Sequence, residues 1–150
     1  MLALIGGTGL NTLEEIGGFD LSHKEEIATP FADTAIQLSR YVYAGTELLF
    51  IPRHGGGHVV PPHRINYRGN IDALRLAGAT RVVAMNATGG IAPELCPGAI
   101  AIPEQLIDYS YGRISSFYED NLEDVVHIDF GEPYTQELRK ALLEAAARVN

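Results

Sequence analysis

Three short segments of this 150-residue chain bring together residue types suited to holding an anion. The first is Ile5-Gly6-Gly7-Thr8-Gly9, directly after a short apolar run. Glycines let backbone N–H groups approach an anion closely, and the Thr8 hydroxyl adds a donor. No Gly-Lys-Ser/Thr follows, so it is not a Walker A loop, and the spacing is not that of a dinucleotide site. The second is Pro52-Arg53-His54-Gly55-Gly56-Gly57-His58. Arg53 offers a planar fork and His54 a second donor, and the glycine run lets the segment fold tightly around a ligand. The third is Asn86-Ala87-Thr88-Gly89-Gly90-Ile91, whose small residues leave room for a sugar or phosphate against the backbone. Each has an ordinary alternative: a structural glycine turn, a surface Arg-His pair, and a tight turn with a capping Asn.

Other residue types carry weaker signals. His54, His58 and His63 invite a metal reading, yet three glycines between the first two disfavour the helix that would present both rings together, and no carboxylate or cysteine lies nearby. The sequence therefore assigns no metal site. Tyr109, Tyr111, Tyr118 and Tyr134, with Phe117 and Phe130, suit core and loop packing. His127 sits in the apolar run Val126-His127-Ile128-Asp129-Phe130, where a lone histidine is commonly a satisfied structural residue.

The elements that would position these segments are legible from periodicity. Leu2–Ile5 reads as a buried strand stopped by glycines. Ala35–Leu38, Arg40–Tyr43 and Glu47–Ile51 read as further strands, with Ala44-Gly45-Thr46 as a hairpin turn. From Asn66 to Gly78, Ile71, Leu74 and Ala77 recur at helical spacing, and Gly78 is a C-terminal stop. Arg81–Met85 and Ala99–Ile102 read as two more buried strands. Thr135 caps a final helix with Leu138, Leu142, Ala145 and Val149 on one face. This order implies one α/β domain over residues 1–150, with a mixed central sheet flanked by helices. Each anion segment then follows a strand, where open α/β sheets place ligands. The last helix stops at Asn150 without a capping glycine or a return strand, so the expected α/β unit looks unfinished.

Composition limits the partners. A hydrophobic fraction of 46% and a charged fraction of 20% are those of a globular protein. The net charge of −8 argues against nucleic-acid or anionic-membrane binding, both of which need a basic surface. No apolar run has the length of a membrane span, and the N-terminus has no basic leader. The single cysteine, Cys96, cannot form an internal disulfide, which fits a cytoplasmic protein. An anion handled by such an acidic chain must be met by a few local donors.

Taken in order, the motifs make the chain similar to the trimeric purine nucleoside phosphorylase and methylthioadenosine phosphorylase family nearly from end to end. The segments that carry the resemblance are Ile-Gly-Gly-Thr-Gly-Leu (5–10), Thr-Pro-Phe (29–31), Arg-His-Gly (53–55) and Val-Pro-Pro-His-Arg-Ile-Asn-Tyr-Arg-Gly-Asn-Ile (60–71). Asn-Ala-Thr-Gly-Gly-Ile (86–91), Gln-Leu-Ile-Asp-Tyr (105–109) and His-Ile-Asp-Phe with a following Pro-Tyr (127–134) complete it. Arg53-His54-Gly55 and the His127 segment favour the methylthio branch, and the chain looks most like its bacterial S-methyl-5'-thioinosine phosphorylases.

The resemblance implies a nucleoside phosphorylase fold in which Thr8, Arg53, His54 and the backbone at Ala87 bind phosphate. Asn86, Ala87 and Thr88 would line the ribose, and His58 would support the phosphate loop. His127 would reach into a neighbouring subunit's pocket near the 5'-methylthio group, with Phe117 a further apolar candidate, making a homotrimer part of the site. The implied reaction is phosphorolysis of S-methyl-5'-thioinosine or methylthioadenosine to free purine and 5-methylthioribose 1-phosphate, with inorganic phosphate as co-substrate and no metal or organic cofactor. Family members are longer. Their base-reading Asp or Asn, a ribose-contacting Met and a further phosphate Thr/Ser lie beyond the matched part, so the general acid is expected beyond residue 150. Asn86, where methylthioadenosine enzymes commonly have threonine, tilts the chain towards 6-oxopurines. The alternatives are a general inosine/guanosine phosphorylase, a nucleoside hydrolase of related fold, and a non-catalytic phosphate- or nucleoside-binding fragment.

Overall fold

The computed structural model describes residues 1–119 and 122–149, in two compact units. The first comprises Met1–Ala87 with Ser115–Phe117, and the second comprises Thr88–Ile114 with the remainder from Tyr118. Asn150, where the sequence reading ends its last helix, lies outside the described residues.

In the first unit five strands form one mixed sheet: β1 (Leu2–Gly6), β2 (Phe19–Ile27), β3 (Ile36–Tyr43), β4 (Thr46–Pro52) and β5 (Arg81–Met85), in the spatial order β2-β3-β4-β1-β5. β2, β3 and β4 pair antiparallel, whereas β1 lies parallel to both β4 and β5. A helix, α1 (Tyr67–Leu76), connects β4 to β5 after a single 3₁₀ turn at Pro62–Arg64. Asn66 caps α1 by accepting from Gly69 N at 2.8 Å.

β4 runs through the middle of the sheet, and its residues show the two-residue period of a strand buried on both faces. Leu49 and Ile51 pack with Ala3, Leu38, Ala73 and Leu74 on the α1 side. Leu48 and Phe50 pack with Tyr41 and Leu13 on the other. The Tyr41 hydroxyl hydrogen-bonds the Glu14 carboxylate, tying the segment after β1 to β3. Burial, reinforced by that carboxylate, pushes the Tyr41 phenol up to about 12.

The sheet differs from the sequence expectation in three places. Ala35–Leu38 and Arg40–Tyr43, read as two strands, fall in the single β3 from Ile36, because Ser39 stays in register opposite Phe50. β2 carries no apolar alternation, since it is an edge strand paired only with β3 and mostly exposed. Its charged side chains fit an edge, and Glu25 pairs with Arg40 at 2.6 Å. Ala99–Ile102, expected as a strand, is irregular. A strand needs a neighbour to pair with, and among the described residues of the second unit there is none.

The second unit contains α2 (Gln136–Val149) and irregular chain. The Thr135 carbonyl accepts from Arg139 N at 2.9 Å, which starts the helix where expected. Arg139 Nε donates to Pro103 O at 3.1 Å, and Gln105 Nε2 donates to Phe130 O at 3.0 Å. The aromatic residues read as packing are largely exposed here, Tyr109 by 85% and Tyr111 by 93%, and α2 has no buried residue. Among the described residues no helix is long and apolar enough to cross a membrane.

One buried carboxylate holds the segment before β3 to α1. Asp72 accepts from Thr29 Oγ1 at 2.6 Å and from Arg75 Nε at 2.9 Å. The Thr29 hydrogen bond, helped by Arg75, holds the Asp72 carboxyl below its ordinary 3.8. A depressed folded value contributes stability above the unfolded value, which is lost as pH falls through the folded one. The Tm difference between the native protein and Asp72→Asn should therefore be largest at neutral pH and narrow below about pH 4. Thermal melts from pH 7 to 3 test this; a difference independent of pH would contradict it.

Candidate functional site

The register of the parallel strands ends three of them at one level. Gly6 is opposite Pro52 of β4 on one side and Met85 of β5 on the other. The segments that leave these ends, Gly7–Gly9, Arg53–Gly57 and Asn86–Ala87, therefore emerge side by side along one edge of the sheet. This is the carboxyl-end location where open α/β sheets bind ligands.

Arg53 crosses from the β4 loop to the β1 loop. Its backbone N–H donates to Gly6 O at 2.9 Å. A Cβ built on Gly7 would lie 3.0 Å from Arg53 Nη2 and 2.6 Å from the Met85 carbonyl oxygen. Only glycine lets the guanidinium and the end of β5 approach the β1 loop this closely. Gly9 follows at φ 86°, the left-handed conformation that turns the chain back, with Leu10 N donating to Gly7 O at 3.1 Å. Thr8 is exposed at the tip of this turn, and its hydroxyl has no side-chain partner among the described residues.

His54, by contrast, is buried, with 4% of its surface exposed. Its Nδ1 lies 2.9 Å from Val60 O, and its Nε2 accepts from Arg53 Nε at 3.2 Å. The loop closes through Val60 N, which donates to His54 O at 2.8 Å. His58 lies over His54 with ring centroids 4.3 Å apart. It reaches that place through a left-handed backbone at φ 58°, which costs a non-glycine residue about 1–2 kcal/mol. Among the described residues no group of three or more His, Cys, Asp or Glu side chains could hold a metal ion.

Thr8, Arg53, His54, His58, Asn86, Ala87 and Phe117 all belong to the first unit, and Thr88 and His127 to the second. Asn86 and Ala87 are exposed beyond the end of β5. His127 is exposed in irregular chain, so the packed structural histidine that its apolar neighbours suggested is not what the structure contains. Phe117 packs edge-on against Phe31, with centroids 4.9 Å apart. The Arg68 guanidinium sits 5.4 Å from the Phe31 ring centre and Nη1 donates to Ser116 O at 3.1 Å. Asn66 Nδ2 donates to Phe31 O at 2.7 Å, so the α1 cap also holds this cluster.

A surface cleft of the first unit, bounded by Asn11, Thr12, Arg53, Gly55, Arg64 and Asn66, takes in Arg53 but neither Thr8 nor Asn86. The cleft thus shares Arg53 with the converging strand ends without taking in all three of their loops. Sequence reasoning missed Val60 and Phe31. Val60 acts through a backbone carbonyl, which leaves no trace in residue type. Both stand only within matching segments, Val60 in 60–71 and Phe31 in 29–31, with no role attached to either.

Comparison with known proteins bears on the family and the fold. The model of the phosphorylase superfamily matches residues 2–150. A probable S-methyl-5'-thioinosine phosphorylase of Pseudomonas syringae pv. tomato is 44% identical over 145 residues, covering 97% of this chain and 58% of that protein. The 6-oxopurine nucleoside phosphorylase of Pyrococcus furiosus is 38% identical over 150 residues, covering 97% of this chain and 54% of its own. Among solved structures, methylthioadenosine phosphorylase from Schistosoma mansoni in complex with adenine superposes with a TM-score of 0.88 at 31% identity, over 98% of this chain and 51% of that one. The chain thus spans little more than half the length of these relatives.

The close approach at Gly7 yields a direct test. The extra methyl of Gly7→Ala meets a backbone carbonyl that cannot swing aside, so it should force the ends of β1 and β5 apart. Overpacking of this kind costs about 1–3 kcal/mol. Chemical denaturation should register a loss of that size, and an unchanged midpoint would show that the approach of the Met85 carbonyl to Gly7 is looser than described.

Proposed function

This chain belongs to the phosphorylase superfamily, and on that premise we propose that it is the phosphate-binding, N-terminal part of a purine nucleoside phosphorylase domain. The observation that carries this reading is the contact of the Arg53 guanidinium with Gly7 beside the end of β5. It gathers two donor-rich loops and a third loop start around one point in a protein of net charge −8. In this reading Thr8, Arg53 and His54 form the phosphate pocket with the backbone at Ala87, and His58 supports it. Asn86, Ala87 and Thr88 line the ribose, and His127 with Phe117 serves the 5'-methylthio end of a substrate, His127 across a homotrimer interface.

The reaction proposed is phosphorolysis of S-methyl-5'-thioinosine, supported by the 44% identical relative that bears this activity in its name. The C1'–N9 bond loosens first, and its electron pair leaves with the purine. A phosphate dianion held beneath C1' stabilises the positive charge that develops on the sugar, then forms the new C1'–O bond. The purine takes up a proton from a group beyond residue 150. The products are free purine and 5-methylthioribose 1-phosphate, a purine-salvage step located in the cytoplasm. A general 6-oxopurine nucleoside phosphorylase is the second reading, supported by the Pyrococcus furiosus relative. Because the chain spans little more than half of its relatives, a phosphate-binding piece without turnover of its own is the third.

Purine release from methylthioinosine or inosine, followed with and without phosphate, separates these readings. Strict phosphate dependence is expected; turnover undiminished in phosphate-free buffer would overturn the phosphorylase assignment in favour of a hydrolase. Phosphate binding by calorimetry without turnover identifies the binding piece. Arg53→Ala should weaken phosphate about 10- to 100-fold, the equivalent of about 1.5–3 kcal/mol for hydrogen bonds to a charged group. Unchanged phosphate affinity in that variant would contradict the pocket.

A further inference from the structure

The two ring nitrogens of His54 are both committed inside the protein, and the chemistry of their partners fixes which one carries the proton. Val60 O, 2.9 Å from Nδ1, is a carbonyl oxygen and can only accept, so Nδ1 carries a hydrogen. Arg53 Nε always carries a hydrogen and donates at 3.2 Å to Nε2, so Nε2 presents a lone pair. A neutral imidazole has one N–H, and here it faces Val60. The residue is 4% exposed, and the backbone bond from Val60 N to His54 O at 2.8 Å locks the two residues together a second time.

Arg53 shows the complementary pattern. Nε is occupied by His54, whereas Nη1 and Nη2 have no hydrogen-bond partner among the described residues. The Nη2 side reaches the β1 loop, 3.0 Å from where a Gly7 Cβ would be. An arginine anchored through Nε still offers two parallel N–H groups from its Nη1/Nη2 end, a geometry that suits two oxygens of a tetrahedral anion.

We infer that the His54 imidazole is a positioning group, which fixes the Arg53 guanidinium by accepting from Nε and does not itself donate to the bound anion. The inference rests on the phosphate-pocket reading above and assigns His54 a different part within it. Anion binding then takes up no proton at His54. Were His54 an anion donor, Nε2 would need a proton, the Arg53 contact would break, and a second positive charge would be created beside the guanidinium. Among the described residues, the side chains shown against the His54 ring are the Arg53 guanidinium and the His58 imidazole.

Sulfate is the probe, because unlike phosphate it keeps one charge state across the neutral range. His58→Asn removes the other imidazole in contact with His54, and asparagine tolerates the left-handed backbone there. In both proteins sulfate affinity should stay within about twofold from pH 7 to 9. An affinity that falls about tenfold per pH unit would mean that a proton must bind first, and would overturn the inference. Nitrogen-15 NMR of histidine-labelled protein reads the same question directly. His54 should show a protonated Nδ1 and an unprotonated Nε2 before and after sulfate; a proton gained at Nε2 on adding sulfate would overturn it. In a double-mutant cycle, His54→Asn, which keeps a donor towards Val60 but loses the acceptor for Arg53, should weaken sulfate when Arg53 is present and add nothing to Arg53→Ala. A further loss in the Arg53→Ala background would make His54 an independent donor. No sulfate binding at all, with the His54 tautomer as expected, is a separate failure: it overturns the phosphate pocket on which the inference rests.

Discussion

The structure depends on the parallel pairing of β1 with both of its neighbours. Antiparallel neighbours would send successive strand ends to opposite edges of the sheet. Parallel ones bring Gly6, Pro52 and Met85 to the same level, so the loops that follow share one edge. Strand residues as far apart in sequence as Leu2, Leu48 and Arg81 thereby become neighbours through backbone hydrogen bonding. The glycine after β1 then acts sterically: without a side chain at Gly7, Arg53 can lie against the β1 loop while Met85 O closes on it from the other side.

Around this edge the polar groups are held by partners that leave their working ends open. His54 is gripped by Val60 and in turn grips Arg53 Nε. Asp72 and Asn66 do similar work farther back, holding Thr29 and Phe31 against α1. Phe31 supports Phe117, and Arg68 closes over both by contact with the ring and with Ser116 O. The Ser115–Phe117 segment joins the first unit through these contacts, although its sequence neighbours belong to the second.

Much of the first unit was legible in the sequence. β1, β4, α1 and β5 announce themselves by apolar runs, period and glycine stops, and the three donor segments follow strands as read. β2 was not legible, because Phe-Asp-Leu-Ser-His-Lys-Glu-Glu-Ile has no buried face to produce an alternating pattern. Ala99–Ile102 misled in the opposite way. Its apolar composition suits a strand, but composition supplies no pairing partner, and Ile100 is 73% exposed. The exposed tyrosines at 109 and 111 teach the same lesson, since residue type reports what burial would gain and not whether a neighbour exists to provide it.

Residue type and local periodicity already supply the polar inventory near these strand ends, Thr8, Arg53, His54 and the small residues from Asn86, and the strands that carry it. Those follow from side-chain chemistry and local periodicity, which each residue bears wherever it lies. Tertiary structure alone decided how the donors are used. That Arg53 reaches Gly7, that a carbonyl six residues on fixes the proton of His54, and that His54 then accepts from Arg53 are consequences of strand register and loop closure. Backbone carbonyls are the same in every residue, so no reading of residue types could have found the one at Val60 that sets the site's polarity.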